Sequence, residues 1–117
     1  MAAIIYHMCR REEWHAAGAA GVYCGSSQDK ADGFIHFSTA AQLAASAAKH
    51  RAGQRDLVLI AVDAAMLGDS LRWEPARDGA LFPHLYGSLP LKAVQWVEPL
   101  PLGRDGHHVF PARMVAA

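Results

Sequence analysis

Two cysteines in 117 residues, Cys9 and Cys24, are too few for a disulfide framework. They lie far apart, and the chain has no CxxC, HxH or HExxH spacing, so no metal is expected from motif grounds. Charge of one sign is missing as well. Eleven Lys and Arg are cancelled by eleven Asp and Glu, which argues against a protein held to nucleic acid by bulk electrostatics. No apolar run approaches the roughly 18–20 residues that a membrane-spanning helix needs. Nothing ahead of the first structured-looking run has the make-up of a signal peptide. The phosphate cradles GxGxxG and GxxxxGK[ST] are also lacking. These absences leave a soluble, cytoplasmic protein of a reducing compartment, with no membrane and no bulk nucleic acid among its partners.

What is present is apolar and rich in imidazole. A 52% hydrophobic share against 19% charged residues marks a globular chain, and its length allows a single domain over residues 1–117. Ala3 to Met8 predicts a strand whose alternation sets Ile5 and His7 on one face and Ile4 and Tyr6 on the other. Arg10 to Ala20 predicts a helix that stops at Gly21, and Cys24 to Gly33 has loop composition. Phe34 to Phe37 predicts a second strand, feeding a helix from Thr39 to about His50 through a Thr39/Gln42 capping box. The unbroken apolar run Leu57 to Val62 predicts a central strand covered on both faces. Further strands are expected at Leu71–Glu74, Phe82–Tyr86 and Val94–Val97, with turns at Asp78-Gly79 and Asp105-Gly106. Two early helices and a strand-rich second half describe an α+β domain.

Seven histidines are the surplus to be explained, since imidazole donates, accepts, ligates and transfers protons near neutral pH. His7, His36 and His84 fall inside apolar strand-like runs. Each alone is accounted for as a core histidine satisfied by backbone or a hydroxyl, but three together point to one shared site. His15, His50, His107 and His108 are expected at the surface. After His36 come Ser38 and Thr39 at a strand-to-helix junction, where Thr39 also serves as a cap. Phe82, His84 and Tyr86 alternate onto one face, which suits a planar heterocycle and equally a packed hairpin. A zinc site from the histidines and Glu74 has no spacing behind it, and Cys24 sits in no nucleophile motif.

The runs Ile4-Ile5-Tyr6-His7, Asp32-Gly33-Phe34-Ile35-His36-Phe37-Ser38-Thr39 and Phe82-Pro83-His84-Leu85-Tyr86-Gly87, with Trp14, Tyr23, Leu57 to Ile60 and Trp73-Glu74, resemble a bacterial family. It is the one known as domain of unknown function 952. The resemblance implies a reduced ADP-ribosyltransferase-like fold, with a small split, mostly antiparallel sheet, two main helices and a cleft for NAD. The order of elements also resembles the RNA 2′-phosphotransferase branch of that fold. By that resemblance His7 hydrogen-bonds a ribose, while His36, Ser38 and Thr39 line the same cleft with His84. Tyr23 or Tyr86 would then stack on the nicotinamide. Glu74 is the nearest candidate for the late glutamate of the protein-modifying transferases, and Arg10, Arg11 and Arg72 are the arginines available to phosphates.

The leading expectation is a histidine-lined cleft that binds NAD or a related nucleotide, as substrate or ligand. Its catalytic candidates for ADP-ribosyl or phosphoribosyl transfer are His7, His36 and Glu74. The alternative is a non-catalytic module for a small metabolite or peptide, which keeps the pocket and has no use for Glu74. A third account makes the histidines core residues of a stable scaffold. Under the first two, the three imidazoles open onto one pocket.

Overall fold

The computed structural model describes residues 3–76 and 78–115. Strand β1 (Ile4–Arg10) leads into helix α1 (Arg11–Ala20), then β2 (Val22–Tyr23), α2 (Ser27–Asp32), β3 (Ile35–His36) and α3 (Ala40–His50). The second half comprises β4 (Leu57–Asp63), β5 (Leu71–Pro75), β6 (Leu81–Leu85), β7 (Leu89–Pro90), β8 (Val94–Leu100) and a last turn of helix, α4 (Ala112–Val115). The protein is a mixed α+β domain with antiparallel strand pairing throughout the registered ladders. No helix among the described residues is long and apolar enough to cross a membrane.

β4 is the centre of the first sheet, between β1 and β8. Its six consecutive buried residues follow from layers on both faces. Val58, Ile60 and Val62 pack with Ile5 and Cys9, whereas Leu57, Leu59 and Ala61 pack with Tyr6, Leu43 and Leu100. Each fully buried aliphatic side chain there contributes about 1.5–3 kcal/mol. The expected alternation along β1 is therefore present, with Ile5 and Tyr6 in opposite clusters.

β3, β6 and β5 form a second sheet in that order, and β2 pairs with β7. One rung joins the two larger sheets: Tyr6 and Ser38 exchange both main-chain bonds at 2.8 Å. Continued antiparallel pairing would make Met8 and His36 the next rung. Side chains replace it. The Met8 carbonyl accepts from Arg51 Nη2 at 3.0 Å, the His36 N–H donates to Asp29 at 3.0 Å, and the His36 carbonyl accepts from His7 at 2.6 Å. The strands thus part after a single rung, and polar side chains hold them apart.

Helix ends follow their local chemistry. α1 stops where Gly21 takes φ 84°, a left-handed conformation that glycine adopts without steric cost. Thr39 caps α3 and exchanges bonds with Gln42, as its spacing predicts. The stretch Cys24 to Gly33, expected to be loop, instead contains α2. There Ser26 is the cap, and Ser26 and Asp29 satisfy each other's backbone N–H groups. His108, expected at the surface, is buried because its ring bonds the Gln54 carbonyl at 2.9 Å. His15, His50 and His107 are exposed.

Candidate functional site

The site is built on the β3–β6–β5 sheet. His36 and His84 are direct cross-strand partners, as are His84 and Arg72, so the three side chains form a row on one face. Glu74 pairs with Phe82 on that face. Phe34 stacks on His84 with centroids 4.1 Å apart and lies 4.6 Å from His36 and 5.2 Å from Tyr86. Arg72 sits over the Tyr86 ring at 5.2 Å. The Tyr86 hydroxyl donates to Glu74 Oε1 at 2.6 Å, and His84 Nδ1 donates to the same oxygen at 2.9 Å. Those two bonds hold the Glu74 carboxyl below its ordinary range, that from Tyr86 most strongly, and the bond to Glu74 pushes the Tyr86 phenol up.

Beneath His36 lies a buried carboxylate. Asp29, 3% exposed, accepts from His36 Nδ1 at 2.5 Å and from the His36 N–H at 3.0 Å through Oδ1. Its Oδ2 accepts from the Ser26 N–H at 2.7 Å and the Ser26 hydroxyl at 2.9 Å. Burial pushes this carboxyl up, but the His36 imidazole, His7 and the two backbone donors outweigh it and hold it well below the usual carboxylate range. His36 Nε2 lies 3.0 Å from the exposed Asp32 carboxylate. Both ring nitrogens of His36 therefore face carboxylate oxygens, and Asp29 fixes the orientation of the ring.

The three imidazoles occupy two tiers. His36 and His84 reach the outer face, with side chains 39% and 15% exposed and ring centroids 5.6 Å apart. His7 is 2% exposed and lies underneath. Burial holds its imidazole below the ordinary range, so the neutral ring donates from Nδ1 to the His36 carbonyl and accepts at Nε2 from the Tyr23 hydroxyl, 2.7 Å away. Tyr23 is likewise buried, and its hydroxyl also meets the Cys9 thiol, which burial pushes up to about 12. Ser38 is buried and donates to Ser46 at 3.0 Å, while the Thr39 hydroxyl is spent on capping α3. Of the expected lining, the outer face brings together His36, His84, Tyr86 and Glu74; His7, Tyr23 and Ser38 form the layer below, and Thr39 stands at the strand-to-helix junction.

A groove of about 240 Å³ lies elsewhere, between α3 and the segment Gly106 to Phe110. It touches none of the residues of the site, and its lining sets Ala44, Ala47 and Ala48 of α3 against His107 and His108. Among the described residues no three His, Cys, Asp or Glu side chains are grouped to hold a metal ion.

Residues 8–97 match the family model described as Protein of unknown function (DUF952). The chain belongs to the DUF952 family. Its fold is similar to the crystal structure of protein CC0527 from Caulobacter crescentus, at 45% identity and TM-score 0.90, over 96% of this chain and 98% of that one. It is also similar to the solution NMR structure of CC0527, at 48% identity and TM-score 0.79, over 89% and 90% of the two chains. No curated protein matches the chain.

The DUF952 match takes in Asp29, His36, Glu74 and His84 and begins one residue after His7. Asp29, Asp32 and Phe34 are the members that reading the sequence misses as site residues. For Asp29 the only local signal is Ser26-x-x-Asp29, the form of a capping box, inside a stretch of otherwise turn-like composition.

Proposed function

We propose that the outer face of the β3–β6–β5 sheet binds NAD or a related nucleotide, on a reduced ADP-ribosyltransferase-like fold. The observation that carries this reading is the row His36–His84–Arg72, with Phe34, Tyr86 and Glu74 packed about it. Aromatic and imidazole rings offer a planar heterocycle a stacking surface. Arg72 supplies positive charge for a pyrophosphate without a basic patch on the whole protein. The parting of β1 from β3 after one rung fits the split sheet that such a fold requires.

In this reading the reaction is attack at the C1′ carbon of the nicotinamide ribose. The nucleophile's oxygen or nitrogen bonds to C1′, the C1′–N bond breaks, and nicotinamide leaves with its electron pair. His36 acts as a proton carrier: Nε2 passes its proton to Asp32, 3.0 Å away, and takes the nucleophile's, with Asp29 fixing the ring from behind. Glu74 receives both of its bonds on Oε1, so Oε2 keeps its acceptor capacity for ribose hydroxyls as positive charge develops. His7 and Tyr23 act from the layer below by fixing the backbone of His36.

The test is an NMR titration of isotope-labelled protein with NAD and with ADP-ribose. Resonances of His36, His84 and Tyr86 should move, and those of His107 should not. If the first three stay still at millimolar ligand, the nucleotide reading fails. The non-catalytic alternative draws on the fact that Glu74 is already engaged by Tyr86 and His84. Under it, Glu74→Gln leaves affinity nearly unchanged and there is no turnover to lose.

A further inference from the structure

We propose that His36 and His84 are an acid–base pair that hydrolyses a ribonucleotide phosphodiester, with a 2′,3′-cyclic phosphate as the simplest substrate. The proposal rests on the nucleotide reading of the same face and adds an activity that does not use NAD. Its basis is that the face carries two histidine–carboxylate couples. His36 Nδ1 is bonded to Asp29 and His84 Nδ1 to Glu74, so Nε2 is the nitrogen that exchanges a proton in both rings, in His36 beside the Asp32 carboxylate 3.0 Å away. The rings are cross-strand partners with centroids 5.6 Å apart, close enough for one imidazole to serve the attacking oxygen and the other the leaving oxygen of a single phosphoryl group. Neither couple depends on a flexible loop for its placement, since His36, His84 and Glu74 all stand on strands and Asp29 is buried.

The roles follow from the surroundings. His36 is the acid, because Asp29 and Asp32 each accept from one of its nitrogens and Nε2 therefore presents a proton to give. His84 is the base, since only its Nδ1 is engaged, and it stands beside Arg72, whose guanidinium meets the phosphate. Phe34, packed on both imidazoles, supplies a surface for the nucleobase. A water oxygen bonds to phosphorus as its proton passes to His84. The bond from phosphorus to the 2′-oxygen breaks, and that oxygen leaves with the proton of His36. The product is the 3′-monophosphate, one water has been consumed, and the two imidazoles recover their starting states by proton exchange with solvent.

The experiment is hydrolysis of 2′,3′-cyclic CMP by the full chain, followed by ³¹P NMR, beside the same NAD titration. Wild type should form 3′-CMP, and His36→Ala and His84→Ala should each lose about 10²-fold or more. His84→Gln is the companion variant if His84→Ala does not fold, and should lose the activity equally. A rate that survives in identically purified, folded His36→Ala or His84→Gln identifies a contaminating nuclease and overturns the proposal. If NAD moves the face resonances but wild type leaves the cyclic phosphate intact, the acid–base pair falls and the nucleotide reading stands. If NAD, ADP-ribose and 2′,3′-cyclic CMP all leave the resonances still, both fall.

Discussion

The ring of His7 donates to the main-chain carbonyl of His36 across 2.6 Å, where the next rung between β1 and β3 would otherwise form. One buried side chain thereby joins the central sheet to the sheet that carries the candidate site. The bond also fixes which nitrogen of His7 holds the proton: Nδ1 donates, so Nε2 accepts from Tyr23. The backbone of His36 is held by His7 on its carbonyl and by Asp29 on its N–H, while Asp29 also holds the side chain.

Replacing His7 therefore costs stability and loosens His36. His7→Ala leaves the His36 carbonyl without a buried partner and the Tyr23 hydroxyl with only the Cys9 thiol, a loss of about 1–3 kcal/mol for a buried group so stranded. Urea denaturation should show the midpoint falling with little change in slope. An unchanged midpoint would mean that water or a rearranged Tyr23 replaces the ring.

Acid should destabilise the protein in two separable windows. The His7 imidazole is held low by burial in the folded state, so its contribution is full above about 6.5, the ordinary histidine value, and declines as the pH falls below it. Asp29 is also held low, so its contribution is full above about 3.9 and is lost as the pH falls from there through the lowered folded value. Denaturation midpoints measured against pH should decline more steeply in the first window for wild type than for His7→Gln, in which the lowered imidazole of His50 remains. Asp29→Asn should shrink the second decline, leaving the part due to Glu74. The same variant should redistribute the His36 ring proton between its nitrogens, read as a change in ¹⁵N imidazole shifts that a purely structural loss would not produce.

Much of the frame was legible because it is written locally. The run Leu57 to Val62 reads as a central strand since every residue must be apolar when both faces are covered, and Thr39 with Gln42 reads as a helix start. The shared face of His84 and Tyr86 follows from strand alternation, and both reach Glu74. The depth of the site was not legible. Alternation gives His7 a side of the strand but not its distance from solvent, which depends on Tyr23 and Asp29 closing over it. Asp29 was hidden because α2 is only six residues long and too short to show a periodic pattern. His108 is buried through a carbonyl 54 residues away, a contact that no neighbouring residue announces.

Gly25 guards the geometry of Asp29. It has φ 100°, and a Cβ built there would stand 2.7 Å from the Asp29 Cβ. Gly25→Ala thus combines a strained backbone, about 1–3 kcal/mol, with a clash against the buried carboxylate. Unfolding should be easier by at least about 1 kcal/mol, and the His36 ring resonances should shift through the displaced Asp29. A stable variant with unmoved His36 resonances would show that Asp29 adapts without disturbing its partner.

Glu74 offers the cleanest separation of chemistry from stability, because it is solvent-facing and its two bonds lie on the outer face. In Glu74→Gln the carboxylate that pushes the Tyr86 phenol up is gone, so the phenol should titrate closer to the ordinary tyrosine value of about 10. Ultraviolet absorbance followed through alkaline pH, with the other two tyrosines buried, reads this shift. The denaturation midpoint should barely change, as expected for an exposed polar pair. Transfer from NAD should fall about 10²-fold or more if Glu74 stabilises charge at the ribose, since an amide cannot supply the lost negative charge. Transfer that persists at the wild-type rate while the Tyr86 titration moves would exclude Glu74 from the chemistry and leave it as an anchor for the aromatic face.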